Sequence, residues 1–210
     1  MLRFLFPLAL LGSVAHAQDG DFTIPPEAVP PLTRGEQADD GPDDALSAPP
    51  VRTPNPTVLR DLDALPAPVR RMRELILEAA RSGDLEKLRP LLGRGARATQ
   101  LAFDDVDTDP IEFLREASGD PAGHEMMAIL IELLEAGYVR TDEPGDGVVY
   151  VWPYFAALPI EDLTPPMRVE LFRLITGGDY EDMREFGAYI FYRIGITEDG
   201  EWRFFLSGDG

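Results

Sequence analysis

The sequence has no cysteine, one lysine (Lys87) and two histidines in 210 residues. The missing thiols exclude disulfides, thiol catalysis, iron–sulfur clusters and Cys-based zinc sites. Cationic side chains are scarce: 19 Lys+Arg against 38 Asp+Glu give a net charge of −19 and an isoelectric point near 4.3. Such a chain lacks the Lys/Arg stripes that displace counterions from a phosphate backbone, so nucleic acid is not an expected partner. Adsorption to anionic lipid is disfavoured for the same reason. Long apolar runs are also missing, and no segment reaches the ~20 residues of a membrane span. What remains is an ordinary balance of 44% apolar and 27% charged residues, with room for one domain and a tail.

The first seventeen residues read as a bacterial Sec-type signal peptide. Arg3 supplies a positive start, Phe4 to Leu11 an apolar run, and Ala15-His16-Ala17 the small-x-small pattern that places cleavage before Gln18. The alternative is a buried first helix. Loss of Arg3 takes the whole-chain −19 to −20. No Cys follows the cleavage point, so a lipoprotein anchor is not expected. The short leader and the use of Arg in place of Lys point to a GC-rich bacterium, and the mature chain is expected in the periplasm or secreted.

Residues 18–66 read as a disordered, acidic, proline-rich linker. Eleven of the twenty prolines lie between Gln18 and Pro68, and Glu36 to Asp44 holds five acids and no base. Pro-Pro pairs favour extended conformations, and scattered apolar residues bury too little surface to offset ordering entropy. Read as a docking segment instead, this stretch has two anchors, Phe22-Thr23-Ile24 and Val58-Leu59.

From 67 to 210 a single α+β domain is expected: helical hairpins packed with a small antiparallel sheet that ends in a C-terminal β-hairpin. Val69, Met72, Leu75, Ile76, Ala79 and Ala80 recur at helical steps, and Ser82-Gly83 ends that helix. Asp84 caps a second helix with Leu85, Leu88, Leu91 and Leu92 facing inward, stopped by Gly93 and Gly95. Ala79-Ala80-Arg81-Ser82-Gly83-Asp84-Leu85 with Leu91-Leu92-Gly93-Arg94-Gly95-Ala96 resembles the helix pair of an ankyrin repeat. Leu130 to Gly137 resembles its second helix again, and two ordinary capped helices account for the same letters. The resemblance implies ankyrin-like hairpins inside another fold.

Asp105, Asp107, Asp109 and Glu116 fall at positions 1, 3, 5 and 12 of a calcium-loop pattern. Pro110 stands where that loop needs Gly. Helix capping explains the same residues: Asp109 as cap, Pro110 at the first helical position, Glu112 completing a capping box. No metal or other cofactor is therefore expected. His124-Glu125-Met126-Met127-Ala128 begins like a zinc-protease motif but lacks the second His, so His124 reads as a helix-start residue. The helix from Glu125 to Ala136 is apolar on most faces and should lie in the core.

Thirteen of nineteen aromatics lie between Tyr150 and Phe205. Val148 to Trp152 reads as a strand stopped by Pro153. Thr164 caps a helix running from Pro165-Pro166 to Ile175 and closed by Gly177-Gly178, and Asp179 to Phe186 forms a short helix. Ala188 to Ile196 and Glu201 to Leu206 read as strands around a Thr197-Glu198-Asp199-Gly200 turn. Two-residue alternation puts Trp202 and Phe204 on one face and Phe205 on the other. The motif Asp199-Gly200-Glu201-Trp202-Arg203-Phe204-Phe205 with Gly208-Asp209, together with Trp152-Pro153-Tyr154-Phe155, resembles a family of small uncharacterised secreted proteins of alphaproteobacteria. That resemblance implies no particular activity.

The expected function is a non-catalytic periplasmic or secreted envelope protein that binds a protein or peptidoglycan partner. Trp152, Tyr154 and Trp202 are candidate ligand-contacting aromatics, with a core role for Trp202 as the competing reading. Glu161 and Asp162 are the candidate pair for the alternative, a glycan hydrolase, which needs two carboxylates ~5–10 Å apart. A third alternative is calcium binding at Asp105, Asp107, Asp109 and Glu116.

Overall fold

The computed structural model describes residues 56–104, 107–143 and 145–208. The expected leader, the linker up to residue 55 and Asp105 lie outside them. Helix α1 (Ala67–Arg81) follows Pro66, and Pro68 lies in its first turn, where an amide proton has no helical partner to lose. It buries Val69, Ile76, Leu77, Ala79 and Ala80 and ends at Ser82, with Gly83 at φ +73°. The next segment, Leu85–Leu91, is capped by the Asp84 carboxylate as expected but winds as a 3₁₀ helix. Pro90 lies inside it and can neither donate the helical bond nor tolerate the α-helical carbonyl four residues back.

Helix α2 (Pro110–Glu116) starts on Asp109, whose side chain accepts from the Ile111 and Glu112 amides. Glu112 does not close a capping box. Its carboxylate pairs with Arg115. Helix α3 (His124–Glu135) buries Met126, Met127, Leu130, Leu133 and Leu134 and packs along α1. Among the described residues, no helix is long and apolar enough to cross a membrane.

Four antiparallel strands form one sheet in the order β1 (Val139–Glu143), β2 (Gly147–Trp152), β3 (Arg193–Thr197), β4 (Trp202–Leu206). The fold class is α+β. The β3–β4 hairpin turns where expected, with Gly200 at φ +88° and its amide bonded to the Thr197 carbonyl at 2.8 Å. The sequence pattern does not predict strand β1, and the predicted strand from Ala188 begins only at Arg193. Gly177-Gly178 does not close the preceding helix. Helix α4 (Pro165–Leu171) ends earlier, without a side-chain bond from Thr164. The two glycines instead open α5 (Gly177–Phe186), where Thr176 and Asp179 form a reciprocal capping box.

Both faces of the sheet are covered. Tyr150, Trp152, Ile194, Ile196, Trp202 and Phe205 join the buried side chains of α1 and α3. Val139, Val149 and Val151 face a second cluster built from the β2–β3 connection: Tyr154, Phe155, Leu158, Ile160, Leu163, Leu171, Ile175, Met183 and Tyr189. A register shift between Gly195 and Ile196 pairs Ile196 with Trp202 and Gly195 with Phe204. Arg203 is thus the extra residue of a bulge, and the expected alternation breaks there. Trp202 and Phe205 share the α1/α3 face, their ring centroids 6.3 Å apart, while Phe204 packs on the opposite side. Gly195 makes room for it: a Cβ there would lie 2.3 Å from the Phe204 ring.

The ordered chain begins before Ala67. Leu59 and Tyr138 exchange two backbone bonds of 2.8 Å, and the Tyr138 hydroxyl donates to the Asp61 carbonyl at 2.6 Å. Leu65 is buried, and Val58 and Leu59 pack against the two clusters. The expected boundary at 67 is therefore too late, and Val58-Leu59 anchors on its own domain. On the other side of the sheet, Gln100 bridges to β4 through Arg203 and Phe205.

Candidate functional site: a guanidinium and carboxylate cleft

At the C-terminal end of α3, four segments of the chain meet around a cavity of about 220 Å³. The strand-like stretch at Leu59 brings Arg60, α1 brings Arg73, α3 brings Glu132 and Glu135, and α4 with its following turn brings Glu170 and Arg173. Gly137 lets them converge. A Cβ there would stand 2.9 Å from the Tyr154 ring and 3.2 Å from the Leu59 carbonyl oxygen. The Tyr154 amide also donates to the Gly137 carbonyl at 2.9 Å.

Most of the charged groups are held. Arg60 donates through Nη2 to both oxygens of Glu170, at 3.0 and 2.8 Å, and its guanidinium carbon lies 5.2 Å from the Tyr154 ring centroid. The Tyr154 hydroxyl donates to the same carboxylate at 2.8 Å. Burial, then the bond to Glu170, raise the Tyr154 phenol above its usual range, and the Glu170 bond raises Arg60. Arg73 donates from Nε and Nη2 to the Leu134 carbonyl at 3.0 and 2.7 Å, filling an acceptor that the end of α3 leaves open. Burial lowers its pKa. Glu135 is taken by Arg81 at 2.8 Å. Arg173 and Glu132 differ, lying 3.8 Å apart with 65% and 46% of their side chains exposed.

None of the expected site residues lines this cleft; nearest is Tyr154, which lies behind its wall, with its hydroxyl on Glu170 and its ring under Arg60. Its ring, like those of Trp152 and Trp202, is buried, so none presents a flat face to a glycan or peptide. The Trp152 ring is tilted against Tyr138 with centroids 5.1 Å apart, and its indole N–H is buried without a hydrogen-bond partner. The Trp202 indole donates to the Phe204 carbonyl at 3.1 Å. Glu161 and Asp162 are exposed on the 3₁₀ turn Ile160–Asp162 and do not line the cleft.

The calcium pattern is not assembled by the described residues. Asp107 is exposed, Glu116 ends α2, and Asp109 is committed to its helix amides and to Arg89, with contacts of 2.5 and 3.1 Å. Arg89, followed by the helix amides, holds the Asp109 carboxyl down at about 2. Among the described residues no group of three or more His, Asp or Glu is placed to hold a metal ion. His124 stands at the start of α3, exposed, with Nδ1 3.3 Å from Asp120.

Sequence reading missed Arg60, Arg73, Glu132, Glu135, Glu170 and Arg173. Each is a common residue on a polar face, and Arg60 and Glu170 stand 110 positions apart. The available signal is the scarcity of cations: three guanidinium groups gather here in a chain of net charge −19. No family description, curated protein or solved structure matches the chain.

Proposed function

We propose that the chain is a non-catalytic periplasmic or secreted envelope protein that binds a protein or peptidoglycan partner, with the cleft at the end of α3 as its recognition site. The observation that carries this reading is the cleft's balance of charge. Three arginines and three glutamates line one concavity in a strongly acidic chain. Fixed pairs such as Arg60–Glu170 supply a preorganised frame, and preorganisation lowers the ordering cost of binding. Val169 and Phe172, 69% and 46% exposed on and just after α4, add exposed apolar surface to the helix that carries Glu170. Export is supported by Arg3, the Phe4–Leu11 run and Ala15-His16-Ala17.

Two measurements test the reading together. N-terminal sequencing of the native protein should begin at Gln18. Purified mature chain should co-sediment with isolated peptidoglycan or cross-link to an envelope protein, and Arg173→Glu should weaken that retention. Recovery of the native chain in the cytoplasm with Met1 in place, or equal retention of the Arg173→Glu variant, overturns it.

A further inference from the structure

We propose that the cleft takes an α-amino-acid zwitterion, an ammonium and a carboxylate on one carbon, bridging Glu132 and Arg173. The assignment rests on the binding reading above and names the ligand chemistry of that site. Arg60 is spent on Glu170, Arg73 on the Leu134 carbonyl, and Glu135 on Arg81. Arg173 and Glu132 are left, 3.8 Å apart. That distance is beyond the ~3.2 Å limit of a normal N–H···O bond, so both keep hydrogen-bonding capacity toward the cleft. A zwitterion placed head to tail replaces the one long contact with two charge-assisted bonds: ligand carboxylate on the Arg173 guanidinium, ligand ammonium on the Glu132 carboxylate.

Charge and size both narrow the ligand. A simple anion meets Glu132, Glu135 and Glu170, and a simple cation meets Arg60, Arg73 and Arg173. A ligand carrying both charges satisfies each sign locally. The cavity of about 220 Å³ equals roughly seven water volumes, room for an alanine-sized molecule. It falls below the ~300–1,000 Å³ of pockets that enclose larger ligands.

The experiment is calorimetric titration of the full mature chain with four probes: L-alanine, D-alanine, N-acetylalanine and alaninamide. One or both alanine enantiomers should saturate at low millimolar concentration. The two capped analogues, each lacking one charge, should bind at least ~10-fold more weakly, about 1.4 kcal/mol each. Alanyl-alanine separates the sources: its charges sit on different residues, so a site for a free amino acid binds it more weakly than alanine, and equal binding overturns the single-carbon assignment. Arg173→Gln and Glu132→Gln should each lose at least ~10-fold in alanine affinity while keeping the wild-type thermal midpoint. Equal affinity for capped and uncapped probes, unchanged affinity in both variants, or no saturation by roughly 50 mM overturns the proposal. The wild-type chain in the peptidoglycan and cross-linking assay keeps the two readings apart. Retention of the wild type without alanine binding sinks the ligand assignment alone, and a wild type that shows neither sinks the binding reading as well.

Discussion

The two faces of the sheet are buried equally well by different means. One is covered by α1 and α3, two regular helices of 15 and 12 residues whose apolar side chains recur every three or four positions. The other is covered by the β2–β3 connection, two 3₁₀ turns and two short helices of 7 and 10 residues. There, large side chains such as Tyr154, Phe155 and Tyr189 do what helical periodicity does on the first face. Aromatics bury much surface from few positions, so an irregular backbone suffices if each ring is well placed. The comparison teaches that regularity determines how legible a layer is, while buried area determines how well it holds.

The largest expected effect breaks the first face. Trp202 is 2% exposed and lies beside Phe205 on the α1/α3 side. Trp202→Ala should cost ~3–5 kcal/mol, a large part of a typical ~5–15 kcal/mol stability. Phe155→Ala, at a fully buried ring on the other face, should cost a similar amount. Urea denaturation of both variants checks the equality. A Phe155→Ala cost below ~1 kcal/mol would show the irregular layer to be an accessory cover and not half of the core.

Next in size is the segment before α1, which touches both clusters. Deleting residues 56–65 in addition to 18–55 should cost ~2–4 kcal/mol relative to the shorter deletion. The longer deletion removes buried Leu65, both Leu59–Tyr138 backbone bonds and the acceptor of the Tyr138 hydroxyl. Matching thermal midpoints for the two truncations would mean that these contacts contribute nothing in solution.

The same comparison explains what the sequence reveals. α1 is legible because one apolar stripe repeats through its turns, α3 because it is apolar on most faces, and the β3–β4 turn because Asp199-Gly200 supplies its geometry. Strand β1 is not: in Val139-Arg140-Thr141-Asp142-Glu143 only Val139 is a large apolar residue, and its place comes from pairing with β2. The bulge at Arg203 is equally silent, since no letter there differs from an alternating strand, yet it moves Phe205 onto the Trp202 face. As letters, Gly177-Gly178 reads as a stop because glycine commonly ends helices, but the Thr176–Asp179 reciprocal bonds make it a start. The cleft was illegible for a plainer reason. Its charged groups come from α1, α3, α4 and the segment before α1, and their convergence depends on tertiary packing at Gly137.

A smaller effect sharpens the comparison at a helix start on the irregular face. Thr176→Ala removes one half of the α5 capping box and should cost ~1 kcal/mol. Because α5 belongs to a layer of short elements, the loss should appear as faster amide exchange within Gly177–Phe186 ahead of the sheet amides. Uniform acceleration across the sheet and α5 together would mean that the two layers open as one unit.

The smallest effect concerns acid, and it belongs to the helical side. Asp120 accepts from the Glu125 amide at 2.9 Å and the Ala122 amide at 3.1 Å, tying down the start of α3. These backbone bonds, the Glu125 amide foremost, hold its carboxyl at about 2 in the folded chain, below the ordinary 3.8. A carboxylate whose folded pKa is depressed adds stability that is present above the unfolded value and lost as pH falls through the folded one. The contribution of Asp120 should therefore be intact above pH ~4 and fade between ~4 and ~2. Solvent exposure keeps it modest. Asp120→Asn should lower the urea midpoint slightly at neutral pH, and its curve should meet that of the wild type as pH approaches ~2. Curves that stay parallel from pH ~7 down to ~2 would show that the carboxylate does not couple the start of α3 to protonation.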